Sequence, residues 1–278
     1  MLTFSLGPLT LALDHLLLLG ALLVASLVGW LLARRGAQSP ESALFNLFLL
    51  GLVCARLGFV MAYWPMYRDD LLQTVDIRDG GFLLVAGVAG GLLGAVWQGW
   101  RQPGLRRPLG WGLSAGVLFW LLGSLASHLY NEGTRLPDLT LRDSLDRPVA
   151  LEGYRGRPLV LNIWATWCPP CRREMPVLQQ AQQDYPHVSF VFVNQGETPE
   201  MVSTFLATTG LALSHVLFDS SGQLARRVGS MALPTTLFYD AEGRLVDHHV
   251  GELSRASLHH ALEPFDRAAA PAPAVQGN

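Results

Sequence analysis

Cys168 and Cys171 stand either side of Pro169-Pro170, directly after the apolar run Pro158–Trp164. Two cysteines one helical turn apart can interchange between dithiol and disulfide, or supply half of a zinc site. If a helix starts at the first of them, its unpaired backbone N–H groups and the positive end of its dipole stabilise the thiolate, which is the attacking species. That assigns Cys168 as the nucleophile and Cys171, one turn inward, as the resolving thiol. Tetrahedral zinc would need two further ligands. The chain has no second CxxC, and His248-His249 and His259-His260 are adjacent pairs whose side chains diverge. No metal is expected, and no cofactor beyond the cysteine pair itself. A purely structural disulfide would close too small a loop to constrain the chain much. The third cysteine, Cys54, lies in an apolar run and reads as a small packing residue.

The elements that must position the pair lie after Leu136. Short strands are expected at Leu139–Arg142 and Val149–Leu151 around a polar turn. Pro158–Trp164 and Val188–Asn194 read as central strands covered on both faces. Helices are expected at Pro170–Tyr185, where Pro176 should introduce a kink, and at Pro199–Thr209. A strand at Val216–Asp219 and a short helix at Gln223–Val228 precede a hairpin, Thr235–Tyr239 and Leu245–Val250, turning at Ala241-Glu242-Gly243. Ser254 should cap a last helix ending near Phe265. The Ala/Pro-rich stretch 268–278 reads as a disordered tail. A βαβ unit, a hairpin and a helix, with CxxC between the first core strand and its helix, predict an α/β thioredoxin-like domain over residues 131–267.

The first 130 residues differ in kind. Half of the 278 residues are hydrophobic, and the excess is concentrated here. Four apolar runs approach the roughly 20 residues that cross a bilayer: about 9–32, 43–63, 82–98 and 109–130. They predict an all-α four-helix transmembrane domain over residues 1–130. The first run lacks a basic leader and is followed by Arg34-Arg35, so a retained helix is expected rather than a cleaved signal. Arg101, Arg106 and Arg107 lie between the third and fourth runs, whereas Asp69, Asp70, Asp76 and Asp79 dominate the loop between the second and third. The positive-inside rule then places both arginine loops in the cytoplasm and everything after Tyr130 outside it. Gly87 with Gly91, and Gly90 with Gly94, are spaced for close helix approach, whether inside the bundle, at a dimer seam or along a lipid groove. Arg56 is a charge inside the second run and calls for a partner there. Net charge, with histidine neutral, is +2 before residue 131 and −4 after it, and the chain has no lysine. No basic block could track phosphates, so nucleic acid is not an expected partner.

Two stretches carry resemblances. Asn162-Ile163-Trp164-Ala165-Thr166-Trp167-Cys168-Pro169-Pro170-Cys171-Arg172-Arg173-Glu174-Met175-Pro176, then Asn194-Gln195-Gly196-Glu197 and Leu233-Pro234-Thr235-Thr236, resemble the TlpA/ResA group of membrane-tethered thiol–disulfide oxidoreductases over about residues 136–265. The resemblance implies a cis Pro234 and a backbone at Leu233 that pairs with substrate peptide. It also implies a Glu174 that lies beneath the cysteines and assists proton transfer. Glu174 should share a helix face with Cys171, and its charge would disfavour the thiolate. Trp167 is expected to rim the site. The resemblance further implies reduction of periplasmic protein disulfides from the bacterial inner membrane; an oxidase running the reaction backwards is the alternative. With one cysteine in the apolar half, electrons should come from a separate membrane protein.

Ala55-Arg56-Leu57-Gly58, Tyr63 and Asp79–Gly87 resemble part of prolipoprotein diacylglyceryl transferase, over about residues 40–100. A histidine of that family is replaced by Val85, so a related, lipid-embedded bundle without the transferase chemistry is expected. A lipid transferase with an accessory redox domain is the contrasting reading.

Overall fold

The computed structural model describes residues 3–6, 9–34, 39–68, 70–132 and 134–269, in two compact units, residues 11–130 and the rest. Strands β1 (Thr3–Leu6) and β2 (Leu9–Ala12) pair in a two-stranded sheet. The first helix, α1 (Leu13–Ala33), therefore begins four residues later than expected. Three of those four residues, Leu9, Thr10 and Leu11, suit a strand as well as a helix, and periodicity alone does not separate short apolar runs.

Helices α2 (Glu41–Ala62), α3 (Trp64–Tyr67), α4 (Leu84–Arg101) and α5 (Arg106–Glu132) complete the first unit. Among the described residues, three helices are long and apolar enough to cross a membrane: Leu13–Ala33, Glu41–Ala62 and Pro103–Leu129. The count differs from the four expected because α4 carries five glycines and ends in Gln98-Gly99-Trp100-Arg101, which lower its apolar content. Arg35 and Asp69, used in the charge reading, lie outside the described residues.

Glycine brings α4 against α2. A side chain at Gly87 would come within 3.0 Å of Ala55 Cβ and Gly51 O, and one at Gly90 would strike Cys54. Gly91 meets nothing within 4 Å, so only one partner of the Gly87/Gly91 pair serves the approach. Arg56 is buried, and all five of its N–H groups find acceptors. Nε donates to Thr74 O, Nη1 to Asp79 Oδ1 (2.8 Å) and Gly81 O, and Nη2 to Gln73 O and Asp76 O. Tyr67 Oη donates to the other oxygen of Asp79 at 3.0 Å. One cation thus gathers the carbonyls of the α2–α4 loop, as a low-dielectric site demands of a charge.

The second unit is one seven-stranded mixed sheet. Its elements are β3 (Thr140–Arg142), β4 (Pro148–Ala150), β5 (Leu159–Trp164), α6 (Pro169–Asp184), β6 (Ser189–Gln195), α7 (Pro199–Thr209), β7 (Val216–Asp219), α8 (Gln223–Val228), β8 (Thr235–Tyr239), β9 (Leu245–Val250) and α9 (Arg255–Ala269). The strand order is β4-β3-β7-β6-β5-β8-β9; β5 runs parallel to β6 and antiparallel to β8. This is a thioredoxin-like arrangement. Every residue of β5 is buried, and alternation sends its side chains to two cores. Val160 and Trp164 face Met175, Leu178, Leu258 and Leu262. Leu159, Leu161 and Ile163 face Val191, Val193, Leu237 and Leu224. Ser254 Oγ accepts from Ser257 N at 3.1 Å at the start of α9. That helix passes Pro264 and ends at Ala269, beyond the expected end near Phe265, because proline removes only one helical bond. Residues 270–278 of the expected tail lie outside the described residues.

Candidate active site

β5 carries the chain to the sheet's C-terminal edge, and Ala165–Trp167 turn it into α6. Cys168 is the N-cap of that helix (φ −88°, ψ 109°), its Sγ 3.3 Å from the backbone N–H of Cys171. Pro169 and Pro170 occupy the next two positions, where a missing N–H costs nothing and the fixed φ suits a helix start. They also leave Cys171 N as the first backbone donor available to the sulfur. Cys168 and Cys171 form a disulfide, with Cα atoms 5.3 Å apart. Cys168 is 3% exposed and Cys171 fully buried.

Glu174, one turn beyond Cys171, is fully buried. Asn162 Nδ2 donates to its Oε1 at 2.8 Å and Leu253 N to its Oε2 at 3.0 Å. Asn162 also donates to Thr236 Oγ1 at 2.9 Å, which ties β5, α6 and β8 together. Burial pushes the Glu174 carboxyl up to about 8, against those two hydrogen bonds, which favour its charged form. At neutral pH it is therefore mainly protonated. The expectation that Glu174 sets a negative charge beside the cysteines applies only above that value.

The Leu233–Pro234 peptide bond is cis. Thr235 pairs with Ile163 and Thr236 with Asn162, so this bond lies at the end of β5 from which the Cys168 turn leaves. Pro234 O accepts from Gly251 N at 3.0 Å, and Leu233 packs against the core containing both cysteines. Trp167 is 66% exposed. Cys168, Cys171, Glu174, Leu233, Pro234 and Trp167 thus gather at one end of β5 and β8.

Two further residues belong to this constellation. Asn162 holds the carboxyl of Glu174, as above. Glu197 is buried in the loop after β6 and accepts from Thr166 N and Asn194 Nδ2, each at 2.7 Å, and from Thr166 Oγ1. It clasps the turn that presents Cys168. Both stand in the quoted motifs, but nothing in their spacing announces these contacts, which join residues 12 and 31 positions apart. Among the described residues, no three His, Cys, Asp or Glu side chains gather as metal ligands.

A thioredoxin-like sheet presenting a dithiol–disulfide pair at the N-terminus of the helix after its central strand defines a thiol–disulfide oxidoreductase. Comparison with known proteins narrows the class. A Redoxin family model matches residues 131–262, and a Prolipoprotein diacylglyceryl transferase model matches residues 2–126. Thioredoxin-like protein YneN of Bacillus subtilis is 29% identical over 165 residues, covering 54% of this chain and 96% of YneN. Thiol-disulfide oxidoreductase ResA of Geobacillus thermodenitrificans is 33% identical over 133 residues, covering 47% of this chain and 76% of ResA. A solved thiol:disulfide interchange protein of Chlorobium tepidum is 26% identical with a TM-score of 0.42, covering 48% of this chain and 95% of that one. Through its second half, the chain belongs to the ResA family of thiol–disulfide oxidoreductases. The transferase match is wider than the 40–100 stretch on which that resemblance was read.

Proposed function

We propose that this protein reduces disulfides of proteins outside the cytoplasm, from a bacterial inner membrane in which residues 1–130 are embedded as four crossing helices. The observation that carries the reading is the sheltered Cys168–Cys171 pair, whose outer sulfur receives a single backbone N–H within the CxxC turn. In the reduced protein, the Cys168 thiolate attacks a substrate disulfide, one substrate sulfur leaves as thiolate, and a mixed disulfide forms. Cys171 then attacks Cys168, releasing the second substrate thiol and closing the protein disulfide. Two electrons pass from protein to substrate. Glu174 takes up or returns the Cys171 proton, Asn162 holds its carboxyl, and the cis Leu233–Pro234 segment pairs with the substrate backbone beside Trp167. A separate membrane dithiol protein restores the reduced form, because Cys54 has no partner thiol in its helices.

The first half serves as the anchor. Arg56, with all five N–H groups committed to its own loop, has none left for a lipid substrate, and Val85 stands where the transferase family carries a histidine. The glycine contacts that seat α4 on α2 support counting it as a crossing helix, which puts both ends of the chain on one side.

Reporter fusions test the location. A reporter active only outside the cytoplasm is expected to be active when fused after Glu132 and silent after Arg107. Activity after Arg107 would contradict four crossings with the redox domain outside. The direction shows in growing cells: a reductase is recovered mainly as the dithiol, an oxidase mainly as the disulfide.

A further inference from the structure

Beside the active-site turn runs an open groove of about 430 Å³ between α6 and the end of α7. Its walls include Pro169, Pro176, Phe205 and Leu211, with Arg172 and Arg173 along one side and no carboxylate among its lining. The two arginines differ. Arg173 is answered by Glu252, with N–O distances of 2.6 to 3.1 Å. Arg172 is exposed, carries no ion pair among the described residues, and rests with its guanidinium carbon 5.6 Å from the centre of the Phe205 ring. Phe205 is braced from beneath by buried Trp164, ring centre to ring centre 5.8 Å. The groove is thus an apolar floor with one uncompensated cation, starting at the residue that follows the nucleophile.

We propose that this groove receives the polypeptide flanking the target cysteine of a substrate protein, and that Arg172 makes it select an acidic flank. Arg172 stands four residues, about 6 Å of helix rise, from Cys168. An extended chain covers that in about two residues, so a carboxylate one to three positions from the attacked cysteine can reach the guanidinium once the mixed disulfide forms. The proposal deepens the exchange reading given above and rests on it.

The test uses the full chain in detergent micelles, reduced and freed of reductant, in single turnover. The substrates are two peptides whose single cysteine is blocked with 2-mercaptoethanol, flanked by aspartates in one and by arginines in the other. Bis(2-hydroxyethyl) disulfide is the uncharged reference. Each peptide rate is divided by the reference rate of the same variant, which cancels any change in the Cys168 nucleophile. At low salt the acidic peptide is expected to lead the basic one by about two- to fivefold, the range of a partly exposed ion pair. That lead should shrink at high salt and reverse in Arg172→Glu. Equal normalised rates in the wild type, or an unchanged ratio in Arg172→Glu, would overturn the proposal. Failure to react with the uncharged disulfide would instead count against the exchange reading itself.

Discussion

Cys171→Ser is expected to accumulate mixed disulfides with protein partners through Cys168, and Cys168→Ser to accumulate none. Both variants should lose multiple turnover almost completely. The asymmetry follows from position. Cys168 caps α6 and lies at the edge of the site, its sulfur facing the Cys171 N–H, whereas Cys171 is fully buried one turn deeper. A thiol that cannot be reached from outside resolves but does not initiate. Diagonal non-reducing and reducing electrophoresis of the two variants from cells reads the result. Equal trapping by both would refute the assignment of nucleophile and resolver.

Glu174→Gln should alter both the pH dependence of stability and the rate of resolution. The carboxyl has an ordinary value of 4.5 and is pushed to about 8 by burial in the fold. The folded protein therefore holds this proton more tightly than the unfolded chain. The contribution of this group to stability is greatest below pH 4.5 and is lost as pH rises to 8, where the folded group also ionises. Across that window the loss is on the order of a few kcal/mol for this one group. Urea midpoints between pH 5 and 8 should decline in the wild type and flatten in Glu174→Gln. The variant should also resolve mixed disulfides more slowly by roughly tenfold or more, because a positioned proton carrier is lost. Parallel pH profiles for the two proteins would show that the carboxyl neither titrates in this window nor exchanges protons with the thiols.

Much of this is legible in the sequence. The continuous apolar strand, the CxxC at a helix start and the hairpin after it have local signatures: period, capping and turn residues. The structure reproduces them to within a residue or two. The misses have physical causes. Leu9–Ala12 pairs as a strand because Leu9, Thr10 and Leu11 suit a strand as well as a helix. The glycine-rich α4 forms a helix as expected, but with fewer large apolar side chains it is less apolar than its neighbours. Arg56 announced that it needed partners, yet four of its five acceptors are backbone carbonyls of a loop, which no side-chain pattern reveals. Asn162 and Glu197 act across 12 and 31 residues; only the assembled sheet brings them to Glu174 and to the Cys168 turn. The charge of Glu174 was misjudged for the same reason, since its burial is tertiary.

The direction of electron flow rests on how strongly the fold holds the Cys168 thiolate. Strong oxidants of this fold owe their potential to a very stable thiolate, which favours the reduced enzyme. Here two prolines remove backbone donors, no histidine stands between the cysteines, and the charges of Arg172 and Arg173 are exposed to solvent and screened. Glu174 is mainly neutral at pH 7 and contributes little either way. The disulfide should therefore be comparatively hard to reduce. Equilibrating the full chain in micelles with glutathione or dithiothreitol buffers at pH 7, and quantifying the Cys168–Cys171 dithiol by alkylation, measures this directly. The expected potential is roughly −200 to −280 mV, in the range of thioredoxin and the glutaredoxins; a value above about −150 mV, towards the strong oxidants, would contradict the reductase and leave the oxidase in its place.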